Sequence, residues 1–173
     1  MGDCIDGSAQ EDEEEVKKYG AILQTDALEL GKSAEHIVCA DLMLAGYRTF
    51  LTDQGLPYDV VVDINGRLIR IQVKSTTKAK NANTKGRHAN FVYVFHVRSR
   101  GRFGKGERLN KKHCDIIALV ALDTRIVAYF AVDSVAQSVS LYPVGYKFPG
   151  KYKRSRYASI DGFPFEKALD NVR

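Results

Sequence analysis

Tyr58-Asp-Val-Val-Val-Asp-Ile64 and Arg67-Leu-Ile-Arg-Ile-Gln-Val-Lys74, joined by Asn65-Gly66, form the stretch on which the architecture turns. Both runs are rich in β-branched residues, and Asn-Gly is the preferred central pair of a type I′ turn, so a two-residue β-hairpin is predicted. Such a short turn fixes the register. With Ile64 opposite Arg67, Val62 faces Ile69, Val60 faces Ile71 and Asp59 faces Gln72. Side chains alternate along a strand, so one face carries Val60, Val62, Ile64, Ile69, Ile71 and Val73, an apolar surface that belongs in a core. The opposite face presents Asp59 beside Gln72, with Lys74 two residues further on and pointing the same way. Directly opposed residues have Cβ atoms roughly 4.5–5.5 Å apart, close enough for two oxygens to share one cation.

Working outward, residues 33–45 combine strong helix formers with Gly46 at the expected C-terminus. Ala34, Ile37, Val38, Leu42 and Ala45 recur at helical spacing and supply a face to cover the hairpin, and Glu35 lies beside that face. A short strand is expected over 47–52, followed by a loop over 53–57. Strands are expected again over 90–97, 115–122 and 126–132, the last two joined through Asp123-Thr124-Arg125, with a final short helix over 165–172. The fold class that follows is α/β in the α+β sense: a mixed central sheet of five or six strands with flanking helices. One domain over 25–173 is expected, preceded over 1–24 by an acidic arm in which Ser8-x-x-Glu11 can open a short helix. Asp63, near the turn, is expected to pair with Arg70, and Asp115, at the start of an apolar strand, to be structural.

The chain has 173 residues and a formal net charge of +5. Residues 1–15 hold seven acids and no base, so residues 16–173 carry +12, and from 66 to 114 fourteen Lys and Arg stand against one acid, Glu107. A basic body of this kind suits a polyanionic partner such as nucleic acid. Its phosphate contacts are assigned to Lys78, Lys80, Lys85 and Arg87 in a loop over 76–89, and to Arg100, Arg102, Lys105, Lys111 and Lys112 in a loop over 98–113. Three cysteines without C-x-x-C spacing indicate neither a disulfide framework nor a thiolate zinc site, and the four scattered histidines lack zinc-ligand spacing. No apolar run is long enough to span a membrane and the first residues are acidic, so a soluble cytoplasmic protein is expected.

Asp59 can serve as an anionic ligand to a hard divalent cation, Gln72 can add its amide oxygen and Val73 its carbonyl. Lys74 can hold and polarise an attacking water. That set matches what phosphodiester hydrolysis requires: charge neutralisation at the phosphate and hydroxide near neutral pH.

At these residues the sequence resembles the PD-(D/E)XK nucleases. Pro57-Tyr58-Asp59 followed by Gln72-Val73-Lys74 matches the family signature, while Gly31-x-x-Ala34-Glu35 and Leu44-x-Gly46-Tyr47 resemble the preceding helix of two branches. Those branches are the endonucleases encoded in group I introns and the archaeal-type Holliday-junction resolvases. The resemblance implies a restriction-endonuclease-like core, double-stranded DNA as partner, Mg²⁺ as cofactor with Mn²⁺ as substitute, and Glu35 as a further metal ligand. Gln72 stands where most members have an acid, and the Q-x-K form favours the intron-encoded branch. A site-specific homing-type cutter, a junction resolvase and a non-catalytic DNA-binding module are the alternatives that follow. Cutting both strands of a duplex with one centre per chain implies a homodimer or homotetramer.

Overall fold

The computed structural model describes residues 22–53, 55–82, 89–99, 106–147 and 158–172. The acidic run over 1–15 lies outside them, as do Lys85, Arg87, Arg100, Arg102 and Lys105.

Helix α1 spans Ala27–Leu44, beginning six residues earlier than its sequence pattern suggests. The Asp26 carboxylate caps it, accepting from the backbone N–H groups of Leu28 and Glu29 at 2.7 and 3.2 Å. Gly31 masks this start in the sequence because glycine is a poor helix former, yet the cap and the packed face carry the helix through it. Ala34, Val38 and Leu42 are fully buried and Ile37 packs beside them, whereas Ala45 is exposed as the C-cap and does not join the face. Gly46 follows at φ +91°, in the left-handed conformation that ends the helix.

Strands β1 (Arg48–Leu51), β2 (Val60–Ile64), β3 (Arg67–Thr76), β6 (Ile116–Ala121) and β7 (Ile126–Ala131) form a five-stranded mixed sheet in the order β1-β2-β3-β6-β7. The hairpin has the register its turn dictates, from Ile64↔Arg67 to Val60↔Ile71, with Asn65 at φ 53° and Gly66 at φ 86°. Beyond the hairpin, β3 pairs in parallel with β6, Gln72 beside Ile117 and Lys74 beside Leu119. Asp115 starts that pairing. Its carboxylate accepts from the Arg70 backbone N–H at 2.9 Å and from the guanidinium at 2.9 and 3.1 Å. The expected Asp63–Arg70 pair is therefore replaced: Asp63 instead accepts from the Gly66 N–H at 2.7 Å and closes the turn.

All six residues of β6 are buried because both faces of the sheet are covered there. On one face α1 packs with the short helix α2 (Phe165–Asp170), and Val60, Val62, Ile69, Ile71 and Val73 join Ile116, Ala118 and Val120 in one core. Tyr129 ties β7 to α1 by donating to Asp41 at 2.7 Å. On the other face a second core surrounds Ile117, Leu119 and Ala121. Its lid is a separate sheet in the order β4-β5-β8, formed by β4 (Lys80–Asn81), β5 (Phe91–His96) and β8 (Ser138–Leu141). The run over 90–97 thus forms a strand as expected but does not extend the central sheet. Its Tyr93 and Phe95 are 2% exposed and pack in the second core with Ile117 and Leu119.

The lid covers β6 and β7 and reaches β3, leaving the corresponding face open over β1, β2 and the start of β3. Phe50 and Leu68 lie on that face, 55% and 61% exposed. Gln72 and Lys74 share it.

Candidate active site

Asp59 sits one residue before β2, at the point where the hairpin ladder ends. Its backbone N–H donates to the Ile71 carbonyl at 2.9 Å, and its carbonyl accepts from the Thr52 N–H at 3.0 Å, so the residue is fixed between β1 and β3. Thr52 adds a second clamp, its hydroxyl donating to the Tyr58 carbonyl at 2.7 Å. The Asp59 side chain then closes the open end of β3. Its Oδ2 accepts from the Val73 N–H at 2.7 Å and from the Gln72 Nε2 amide, which also lies 3.4 Å from the Val73 carbonyl. Asp59 and Gln72 meet as the register requires.

Burial raises the Asp59 pKa above the ordinary carboxylate range. The Val73 N–H opposes that rise, the Glu35 charge adds to it, and the Lys74 and Lys32 charges oppose it. Five groups from α1, the β1–β2 loop and β3 therefore share one electrostatic environment.

They also share one cavity of about 600 Å³. Glu35 and Lys32 line it from α1, Asp53 from the loop after β1, and Gln72, Val73 and Lys74 from β3. Lys32 Nζ lies 2.9 Å from Glu35 Oε2, and this hydrogen bond and charge raise the lysine's pKa. Nothing in the sequence pattern marks Lys32 beyond its i, i+3 spacing to Glu35. His113 also lines the cavity, its Nδ1 accepting from the Asn110 N–H at 3.3 Å. The loop carrying Lys111 and Lys112 thus reaches the same cavity that β3 walls.

Among the described residues no group of three or more His, Cys, Asp or Glu side chains is placed to hold a metal ion. A mixed oxygen set is present instead: the carboxylates of Asp59 and Glu35, the Gln72 amide and the Val73 carbonyl. Such hard oxygen donors suit Mg²⁺, which keeps several waters and needs few protein ligands. A Gln72 oxygen could take part only with its amide turned, because Nε2 now faces Asp59.

Of the basic residues assigned to phosphate contact, the four that are described, Lys78, Lys80, Lys111 and Lys112, are exposed. Lys111 is paired with Asp133 at 3.0 Å, and its carbonyl accepts from Arg70 at 2.7 Å. No described helix is long and apolar enough to cross a membrane.

The sequence model of the PD-(D/E)XK endonuclease family matches residues 25–157. No curated protein matches the chain. Among solved structures, the bacterial homing endonuclease I-Ssp6803I is similar in fold, with a TM-score of 0.55 at 18% identity over 76% of this chain and 86% of that one.

Proposed function

The chain belongs to the PD-(D/E)XK endonuclease family, and from that premise we propose that it is a Mg²⁺-dependent DNA endonuclease of the homing type, with Asp59, Glu35, Gln72 and Lys74 at its centre. The observation that carries this reading is the meeting of Asp59, Gln72 and Lys74 on one wall of a single cavity, with Glu35 supplied by α1. The Q-x-K form at 72–74 and the fold likeness to a bacterial homing endonuclease support the homing branch.

A bound divalent cation, Mg²⁺ or Mn²⁺ in its place, would neutralise phosphate charge and lower the pKa of water. Asp59 and Glu35 would supply its negative ligands, with the Gln72 amide and the Val73 carbonyl as neutral ones. Lys74, on the same strand face as Gln72, orients the attacking water and favours the developing negative charge. The Val73 N–H fixes the Asp59 carboxylate beforehand, whereas the Gln72 amide must turn before its oxygen can face a cation. In a homodimer or homotetramer, two such centres would address the two strands of a duplex. Phe50 and Leu68 offer apolar surface for self-association, which sedimentation would reveal or exclude.

The test is cleavage of linear duplex, single-stranded and four-way-junction DNA with and without Mg²⁺, under single-turnover conditions. Asp59→Ala and Lys74→Ala should each lower the chemical step by at least ~10²-fold while DNA binding in Ca²⁺ survives. Gln72→Glu keeps an oxygen ligand and should retain measurable activity with altered metal dependence, whereas Gln72→Ala should be more damaging. Preferential cutting of the junction would identify a resolvase. DNA binding without cleavage of any substrate would identify a binding module, and wild-type rates in Gln72→Ala and Lys74→Ala would remove the site altogether.

A further inference from the structure

Glu35 is the one acid that α1 brings to the catalytic cavity, and it is already engaged. Lys32, one turn earlier on the same helix, places Nζ 2.9 Å from Glu35 Oε2, with side-chain exposures of 34% and 14%. Lys32 also interacts with the charges of Asp59 and Asp53, so its ammonium lies within the field of the carboxylates proposed to attract a cation. A divalent cation approaching Glu35 therefore meets a like charge bound to its ligand. Its arrival must weaken or break the ion pair. A phosphate entering the cavity would reverse that cost, because it offers the ammonium a charged acceptor of its own and leaves Glu35 to the cation.

We propose that Lys32 is a positioning residue that holds Glu35 in the cation-free protein and releases it when a DNA phosphate takes up its ammonium, so that cation and DNA bind cooperatively. This rests on reading the cavity as a cation-dependent nuclease site. Linkage makes the effect reciprocal: whatever factor DNA adds to cation affinity, the cation adds to DNA affinity. The consequence for function is a centre that gathers its metal mainly when substrate is present. Replacement of the usual second acid of the signature by Gln72 increases the weight carried by Glu35, and with it the leverage of Lys32.

The experiment is calorimetric titration of the full chain with Ca²⁺, in the absence and presence of a DNA duplex. Without DNA, Lys32→Met should bind Ca²⁺ about two- to fivefold more tightly than the unmodified protein, the range withheld by a partly exposed ion pair. With DNA that gain should shrink. Methionine matches lysine in helix propensity, and Lys32→Arg, which keeps the charge, should behave as the unmodified protein. In a Glu35→Gln background the gain from Lys32→Met should be clearly smaller, the remainder coming from the Lys32 charge near Asp59. Absence of a gain in Lys32→Met, or an equal gain in the Glu35→Gln background, overturns the proposal. Asp59→Asn reports separately on the site. If Asp59→Asn leaves Ca²⁺ binding unchanged, the metal-site reading itself fails; if it weakens binding while Lys32→Met brings no gain, only the role of Lys32 fails.

Discussion

Asp59 is a carboxylate held where a carboxylate is costly. It lies beside β3 with its pKa raised, chiefly by burial, while the Val73 N–H and the Lys74 and Lys32 charges oppose that burial and the nearby Glu35. A folded-state pKa above the unfolded value means that the folded protein binds more protons through that window, so this residue's contribution to stability falls as pH rises. Above the raised pKa the ionised side chain opposes folding in full. Asp59→Asn keeps an oxygen to accept from the Val73 N–H but carries no charge. In metal-free protein at pH 7 it should therefore be more stable than the natural chain by about 0.5–2 kcal/mol, the scale of a functional site relieved of its cost. Urea denaturation in the presence of a chelator would measure this, and the difference should narrow as pH falls towards the ordinary carboxylate range. A variant less stable at neutral pH would show that the hydrogen bonds to Asp59 outweigh its desolvation. The meeting of Asp59 with Gln72, and Lys74 on the same face, was legible in the sequence because Asn65-Gly66 fixes the register; the Lys32–Glu35 pair was not, because i, i+3 charges on a helix are ordinary surface features.

Between elements, the parallel joint of β3 and β6 has no turn to align it, and Arg70 and Asp115 perform that task. The Asp115 N–H donates to the Arg70 carbonyl at 2.8 Å, and the Asp115 carboxylate receives both the Arg70 backbone N–H and its guanidinium. Burial alone would raise the Asp115 pKa, but the hydrogen bonds and charge of Arg70, with Arg67 adding, bring it below the usual range. The sign is opposite to that of Asp59. Stability from Asp115 is fully present above the ordinary carboxylate pKa and is lost as pH falls through the lowered one. Asp115→Asn should cost about 1–3 kcal/mol at pH 7, with a progressively smaller difference in acid, since both groups are partly exposed and the pair is charge-assisted. A penalty independent of pH would assign the loss to packing instead. Such long-range joints are where sequence legibility ends. The hairpin turn and the apolar run of β6 are local signals, whereas the pairing of β5 with β8 joins Tyr93 to Leu141 without any turn between them. Ser138–Leu141 has two serines in four residues and a mixed burial pattern, which gives no strand signal until Tyr93 and Phe95 need a partner.

Over the whole molecule, the proposed function divides between exposed basic residues that would meet phosphates and a cavity that would hold the chemistry. Residues 16–173 carry +12, and a cation that replaces a counterion on a phosphate contributes a slope of about −0.9 in log affinity against log salt. Individual lysines should not contribute alike. Lys78, Lys80 and Lys112 are exposed, while Lys111 lies 3.0 Å from Asp133, with side chains 66% and 56% exposed. A lysine already paired releases fewer counterions on meeting a phosphate, because its charge has been partly spent on the protein's own acid. Replacing Lys78, Lys80 or Lys112 by Gln should therefore reduce the steepness of the salt dependence by up to about 0.9 each, and Lys111→Gln by less. Asp133→Asn should act in the other direction, tightening DNA binding and steepening its salt dependence by freeing Lys111. Fluorescence anisotropy with a labelled duplex in Ca²⁺, over a series of salt concentrations, reads both slope and affinity. Equal losses for Lys111 and Lys112 would show that the Asp133 pair opens at no cost, and an affinity indifferent to salt would remove the basic loops from DNA binding and leave recognition to the cavity alone.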